Sequence, residues 1–296
     1  MKSLLGKAHD PNFWRTVRED ELYRPLVDDV LSLWEREGTA DIPSLSYSAY
    51  RRFVFDGDRK TYEAPYFQRR RVLGVSAILS LIYPERQEYL VRLMDVIYAI
   101  CDEYTWCLPA HQTELGVNNN RHIDLFAAET SMALAEIYTL LGDRMEPLIG
   151  DRIRVEIDRR IVDSYRETRF LWEKTPINWA AVCACSVGCT LMLMRPELYV
   201  EWKERLMATK QCYLSGLPRT VFARRASATG ATASASLRSG QICTAPLPTG
   251  ARIGLPKTRL RPRRLSLGGC FCPGEPSHPF RTAIALAATT WPYCTT

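Results

Sequence analysis

Two stretches of this chain set side chains capable of acid–base or anion-binding chemistry at loop positions. CDEYTWCLPAHQTELGVNNNRHIDLFAAETS, residues 101–131, places His111 just after Pro109, between two helical segments. An imidazole there can exchange a proton near neutral pH or supply a positive charge; its plain role is a solvated loop side chain. WEKTPINWAAVCACSVG, residues 172–188, delivers Asn178 and Trp179 at the start of a helix. The Asn178 amide can donate to a carboxylate or a developing oxyanion, or simply cap its helix. Tyr104, Trp106, Trp172 and Trp179 flank the same two loops, as core or as a platform for sugar rings. Glu103 and Glu129, both expected on helices, are candidate acids or members of polar networks. His122 opens a helix and reads as a surface or capping residue. There is no Gly-rich phosphate loop, no GxSxG and no HExxH.

The ten cysteines give no metal-binding spacing. Cys183, Cys185 and Cys189 lie close together, but without a CxxC pair or a nearby His, so they read as small core residues on one helix. No cofactor and no metal is expected, and a chain of this length needs no disulfide framework.

The elements that must position these residues are helices. Leu22, Leu26, Val30, Leu33 and Trp34 fall at helical spacing, with Gly38 as a stop. Asp56-Gly57 is a turn signal. Long apolar-periodic helices are expected over residues 65–82, 84–107, 123–141, 147–166, 179–194 and 196–214, with Pro84 in the first turn of the second. No segment of the body shows strand periodicity. Long helices joined by short turns predict an all-α domain over residues 1–216, built from helical hairpins as in a bundle, solenoid or toroid. No tight repeat is visible, which disfavours a regular solenoid.

Charge divides the chain at the same point. Residues 1–216 carry 28 Lys/Arg and 32 Asp/Glu, a net of −4. Residues 217–296 carry 11 basic residues and one acid, Glu275, a net of +10. The overall charge of +6 is therefore no sign of a specific nucleic-acid surface on the body. The N-terminal MKSLLGKAHDPNFW has no apolar stretch of signal-peptide length. The longest apolar-leaning run, Trp179–Met194, has 16 residues and falls short of the ~20 that span a bilayer. The expectation is a soluble, cytoplasmic chain without a transmembrane segment; its oligomeric state is open.

Three blocks carry a resemblance: PAH at 109–111, HIDLFAAETSMALAEIYTLLGD at 122–143, and NWAAVCACSVG at 178–188. In this order they resemble the helical domain of heparinase II/III-like polysaccharide lyases, over roughly residues 20–216. The resemblance implies an incomplete (α/α) toroid, normally followed by a β-sandwich. It implies β-elimination on uronic-acid polysaccharides, so the expected partner is an acidic polysaccharide or oligosaccharide. Asn178 matches the family's carboxylate-neutralising Asn, and His111 matches a site His. Trp179, Trp106, Tyr104 and Glu103 are then candidates for substrate binding. The family's catalytic Tyr commonly lies further on, in a stretch of the type EGxGYWxYG, which does not appear after Leu214.

RTVFARRASATGATASAS, residues 219–236, stands in its place. Shifting the codons of this stretch by one base permits EDGVCAEGVGYWGYGFGF, which contains the expected motif. The composition of residues 217–296, rich in Arg, Ala, Thr, Ser, Pro and Gly and lacking Asp, fits a GC-rich gene read out of frame. The expectation is a shifted frame, and hence a chain with little or no lyase activity. The alternative is a genuine Arg-rich tail that binds anionic surfaces nonspecifically. Two further functions stay open: a non-catalytic helical carbohydrate-binding module with a basic tail, and a glycosidase using Glu103 and Glu129 as its carboxylate pair.

Overall fold

The structure, a computed structural model, describes residues 5–112 and 115–216. The expected out-of-frame tail, residues 217–296, lies outside the described residues. Those described are helical, with no strand among them.

Four short helices lie at the N-terminal end. α1 (Pro11–Glu19) is capped by Asp10, whose carboxylate accepts from the Asn12 amide. α2 (Arg24–Leu33) runs into a π-turn over Trp34–Gly38. α3 (Tyr47–Tyr50) and α4 (Arg52–Asp56) come next, and Gly57 ends α4 at φ +74°, a left-handed cap that glycine takes without strain. The Asp56-Gly57 signal thus falls where the sequence expects it.

α5 (Lys60–Ile82) and α6 (Gln87–Cys101) form the first long hairpin. α5 starts five residues before the expected Pro65, which sits in its second turn. Pro84 lies in the inter-helix turn and not within α6. α6 also stops early, at Cys101, so Glu103 and Trp106 stand in the turn beyond it. Arg160 explains the stop: its guanidinium donates to the backbone carbonyls of Cys101, Glu103 and Tyr104, which closes the helix end from outside.

α7 (Leu125–Leu141) begins at the N-cap Asp124. α8 (Pro147–Ile157) continues through a π-turn over Asp158–Val162 into α9 (Asp163–Glu167), so the single helix expected over 147–166 is one rod interrupted by a π-turn. α10 (Asn178–Met194) and α11 (Pro196–Ser215) complete the set.

The closest packing runs α5 on α6, α7 on α10, and α10 on α11, with α6 and α7 both meeting α8. Small residues permit the α7–α10 approach: Ala127, Ala128 and Ala135 of α7 and Ala184 of α10 are buried in one core, while Ala180 and Ala181 pack with Tyr213 of α11. A hydroxyl pair, Ser131 Oγ and Thr190 Oγ1 at 2.9 Å, bridges that seam inside the core. Cys183, Cys185 and Cys189 are buried along α10, as core residues should be. Burial pushes the Cys183 thiol well up, so it stays a neutral thiol. No helix among the described residues is long and apolar enough to cross a membrane.

Candidate functional site

The loop between α6 and α7 folds back on itself and is pinned by hydrogen bonds across it. Thr105 Oγ1 donates to Asn119 O, and Tyr104 Oη donates to Gly116 O at 2.6 Å. Pro109 opens a short 3-10 turn that ends on His111. This turn presents the imidazole edge to Asp124, with Nδ1 2.6 Å from Oδ2. Asp124 is fully buried and held through both of its oxygens. Its Oδ1 accepts from the Ala127 amide and caps α7, while Oδ2 accepts from the Leu108 amide as well as facing His111.

Aromatic walls fix the plane of the His111 ring. Phe126 stacks on it at 5.6 Å with an interplanar angle of 12°. Trp179 meets it at 4.8 Å, tilted by 59°. Trp179 sits in the first turn of α10, directly after Asn178. Two residues singled out from separate stretches are therefore brought together: the contact seats the start of α10 against the His111 loop. The His111 side chain is 14% exposed, and no hydrogen bond to Nε2 forms among the described residues.

Asn178 is half-buried and is the first residue of α10; its N-cap is Ile177, not Asn178 as the capping reading has it. Its side chain makes no hydrogen bond among the described residues. Ile177 provides no side-chain cap, so the first-turn N–H groups of α10 keep their positive end toward the loop.

Three of the expected aromatic and acidic residues stand elsewhere. Glu103 is not on a helix and not in a cleft. Its side chain is 1% exposed, and its two oxygens take a bidentate pair from Arg70, Nη1 and Nη2 each at 2.5 Å, with Arg69 at 3.2 Å. A carboxylate so enclosed is a structural anchor, which removes it as a glycosidase acid and leaves Glu129 without its proposed catalytic counterpart. Trp106 is 1% exposed; its Nε1 donates to Ile100 O, and the Arg160 guanidinium covers its ring at 4.8 Å. It is core and cannot stack on a sugar. Trp172 is likewise buried, donating to Ile123 O. Tyr104 is the exception: its ring is half-exposed and stands edge-on to Tyr50 at 5.7 Å.

His122 does not open a helix. It closes a 3-10 turn, Asn119–Arg121, and its ring packs edge-on against Phe170 at 5.9 Å. Burial holds its pKa below the ordinary histidine value.

Sequence reading missed Asp124, Phe126 and Tyr50. Asp124 before an apolar run is a legible N-cap signal, but nothing in the sequence tells that its other oxygen meets His111. Tyr50 arrives from the N-terminal end of the chain. Its hydroxyl donates to Gln112 Oε1 at 2.5 Å, and Asn119 Nδ2 donates to that same oxygen at 2.7 Å. The result is a polar shelf next to the turn that carries His111.

The chain matches no family model, and comparison with curated proteins finds no match.

Proposed function

We propose that the described helices are part of an incomplete (α/α) toroid and carry one wall of a uronate-binding cleft, in a chain resembling heparinase II/III-like polysaccharide lyases. The observation that carries this reading is the His111–Trp179 contact, which sets an imidazole beside the helix end bearing Asn178. That pairing suits β-elimination. The Asn178 amide and the first turn of α10 bind the uronate carboxylate and make the C5 proton more acidic. A base removes that proton, a C4–C5 double bond forms, the C4–O bond breaks and the departing oxygen takes a proton. His111 fits the base or the neutralising role; Tyr104 offers an exposed ring to a neighbouring sugar. The expected Tyr motif is not readable in the frame of residues 217–296, so turnover by this chain is expected to be slight or absent.

The partner is an acidic polysaccharide or oligosaccharide, with no specific nucleic acid. A non-catalytic binding module is the second reading. It is favoured by Tyr50 and Tyr104, whose hydroxyls are already committed to Gln112 Oε1 and Gly116 O.

One experiment tests both. Oligogalacturonate and a neutral glucan of equal length are offered to the wild-type chain and to Asn178→Ala, with binding and unsaturated product both measured. Loss of a hydrogen bond to a charged carboxylate is worth ~1.5–3 kcal/mol. Asn178→Ala should therefore weaken uronate binding about ten- to a hundredfold and leave the glucan unaffected. Unsaturated product from the wild type supports the lyase; uronate binding without product fits both the incomplete lyase and the module, and product from a chain with the frame restored then decides between them. Equal binding of both glycans by both proteins sinks the two readings together.

A further inference from the structure

We propose that Asp124 is the positioning residue of this site: it locks His111 in the Nδ1–H tautomer, so that Nε2 carries the lone pair and is the atom that accepts a proton. The tautomer stands on geometry alone; its meaning for elimination rests on the lyase reading above.

A carboxylate can only accept, so the 2.6 Å contact between Oδ2 and His111 Nδ1 requires the hydrogen on Nδ1. Asp124 cannot turn away from this duty. Its side chain is fully buried, Oδ1 is held by the Ala127 amide and Oδ2 also by the Leu108 amide. Three elements thereby fix one carboxylate: the turn before Pro109, the 3-10 turn carrying His111, and the first turn of α7. The ring cannot swing either, because Phe126 covers one of its faces and Trp179 leans on it from α10. With Nδ1 assigned, Nε2 is left as the acceptor on the opposite edge of the ring. When Nε2 takes a proton, the buried carboxylate faces the new imidazolium and stabilises it. Asp124 itself touches no substrate; it acts through His111.

The test is nitrogen-detected NMR of the imidazoles in the full chain, at a pH where histidines are neutral. The chain has four histidines, and a His111→Gln variant assigns the signals of this one. The wild type should show Nδ1 protonated and Nε2 bare. Asp124→Ser retains a side chain able to cap α7 but removes the partner of Nδ1. Its His111 should relax toward the Nε2–H form that free histidines favour. Asp124→Asn should do the same if its amide turns an N–H toward the ring. Should both variants fail to fold, the wild-type spectrum alone decides. A wild-type His111 with its hydrogen on Nε2 overturns the proposal, as does an unchanged Nδ1–H pattern in a folded Asp124→Ser chain. Adding oligogalacturonate separates the two claims: a shifted Nε2 signal ties the lock to the uronate site. A silent one counts against the lyase reading while the tautomer result stands.

Discussion

Glu103 shows how much a single side chain can be misjudged by its neighbours in sequence. It lies next to Tyr104 and in the same loop region as His111, yet it faces inward to Arg70, whose guanidinium also rests on the Tyr66 ring at 3.6 Å. Removing one partner of a buried pair strands the other charge, at a cost of ~3–5 kcal/mol. Glu103→Gln should lose stability in that range, read from the urea midpoint at constant slope; a loss under about 1 kcal/mol would show that Arg70 finds another acceptor. His122 makes a second prediction at this scale. Burial lowers its folded-state pKa, so the unfolded chain binds the proton first as pH falls below the ordinary value of about 6.5. Its contribution therefore penalises the folded state below that pH and vanishes above it. Unfolding free energy measured from pH 7 down to 5 should drop less steeply in His122→Gln than in the wild type. Equal slopes would mean that the imidazole is solvated in both states.

At the scale of elements, the seam between α7 and α10 decides whether the site exists. α7 carries Asp124 as its cap and Phe126 in its first turn, and α10 carries Asn178 and Trp179. Their alignment depends on small side chains and on the Ser131–Thr190 bridge. Each hydroxyl has one hydrogen and a second acceptor in reach on its own helix, Ala128 O for Ser131 and Ser186 O for Thr190, so one of them donates across the seam, and neither is orphaned when the other goes. A double-mutant cycle on Ser131→Ala and Thr190→Val should therefore return a coupling of ~0.5–1.5 kcal/mol, the worth of one ordinary hydrogen bond. Additive effects would indicate that the alanine packing aligns the helices unaided. The π-turn at 158–162 has a comparable positional role: it brings Arg160 to the end of α6, and so sets where the loop toward His111 begins.

At the scale of the whole molecule, α11 is the element on which the lyase reading turns. Val200 and Leu214 stand exposed on that helix, 74% and 39%. The gene sequence across codons 210–240 should, with one base restored, read EGVGYWGYG and continue into a strand-rich segment. A confirmed present frame with no such continuation would make the basic stretch real. Uronate binding should then be salt-sensitive through those arginines.

The helices were legible in the sequence because helical order is local. Apolar spacing over three or four residues and a turn signal such as Asp56-Gly57 act within a turn or two of the chain. Boundaries failed where a distant group intervened, as at Cys101, where Arg160 ends α6 from another helix. The site divides the same way. Sequence alone picked out His111, Asn178 and Trp179 as residues at the irregular ends of helices. Only tertiary packing put His111 and Trp179 in contact, turned Asp124 from a cap into a partner of the imidazole, and withdrew Glu103 and Trp106 into the core. Which side of a turn faces a cleft is set by contacts between residues far apart in the chain, and no local pattern of residue types encodes those contacts.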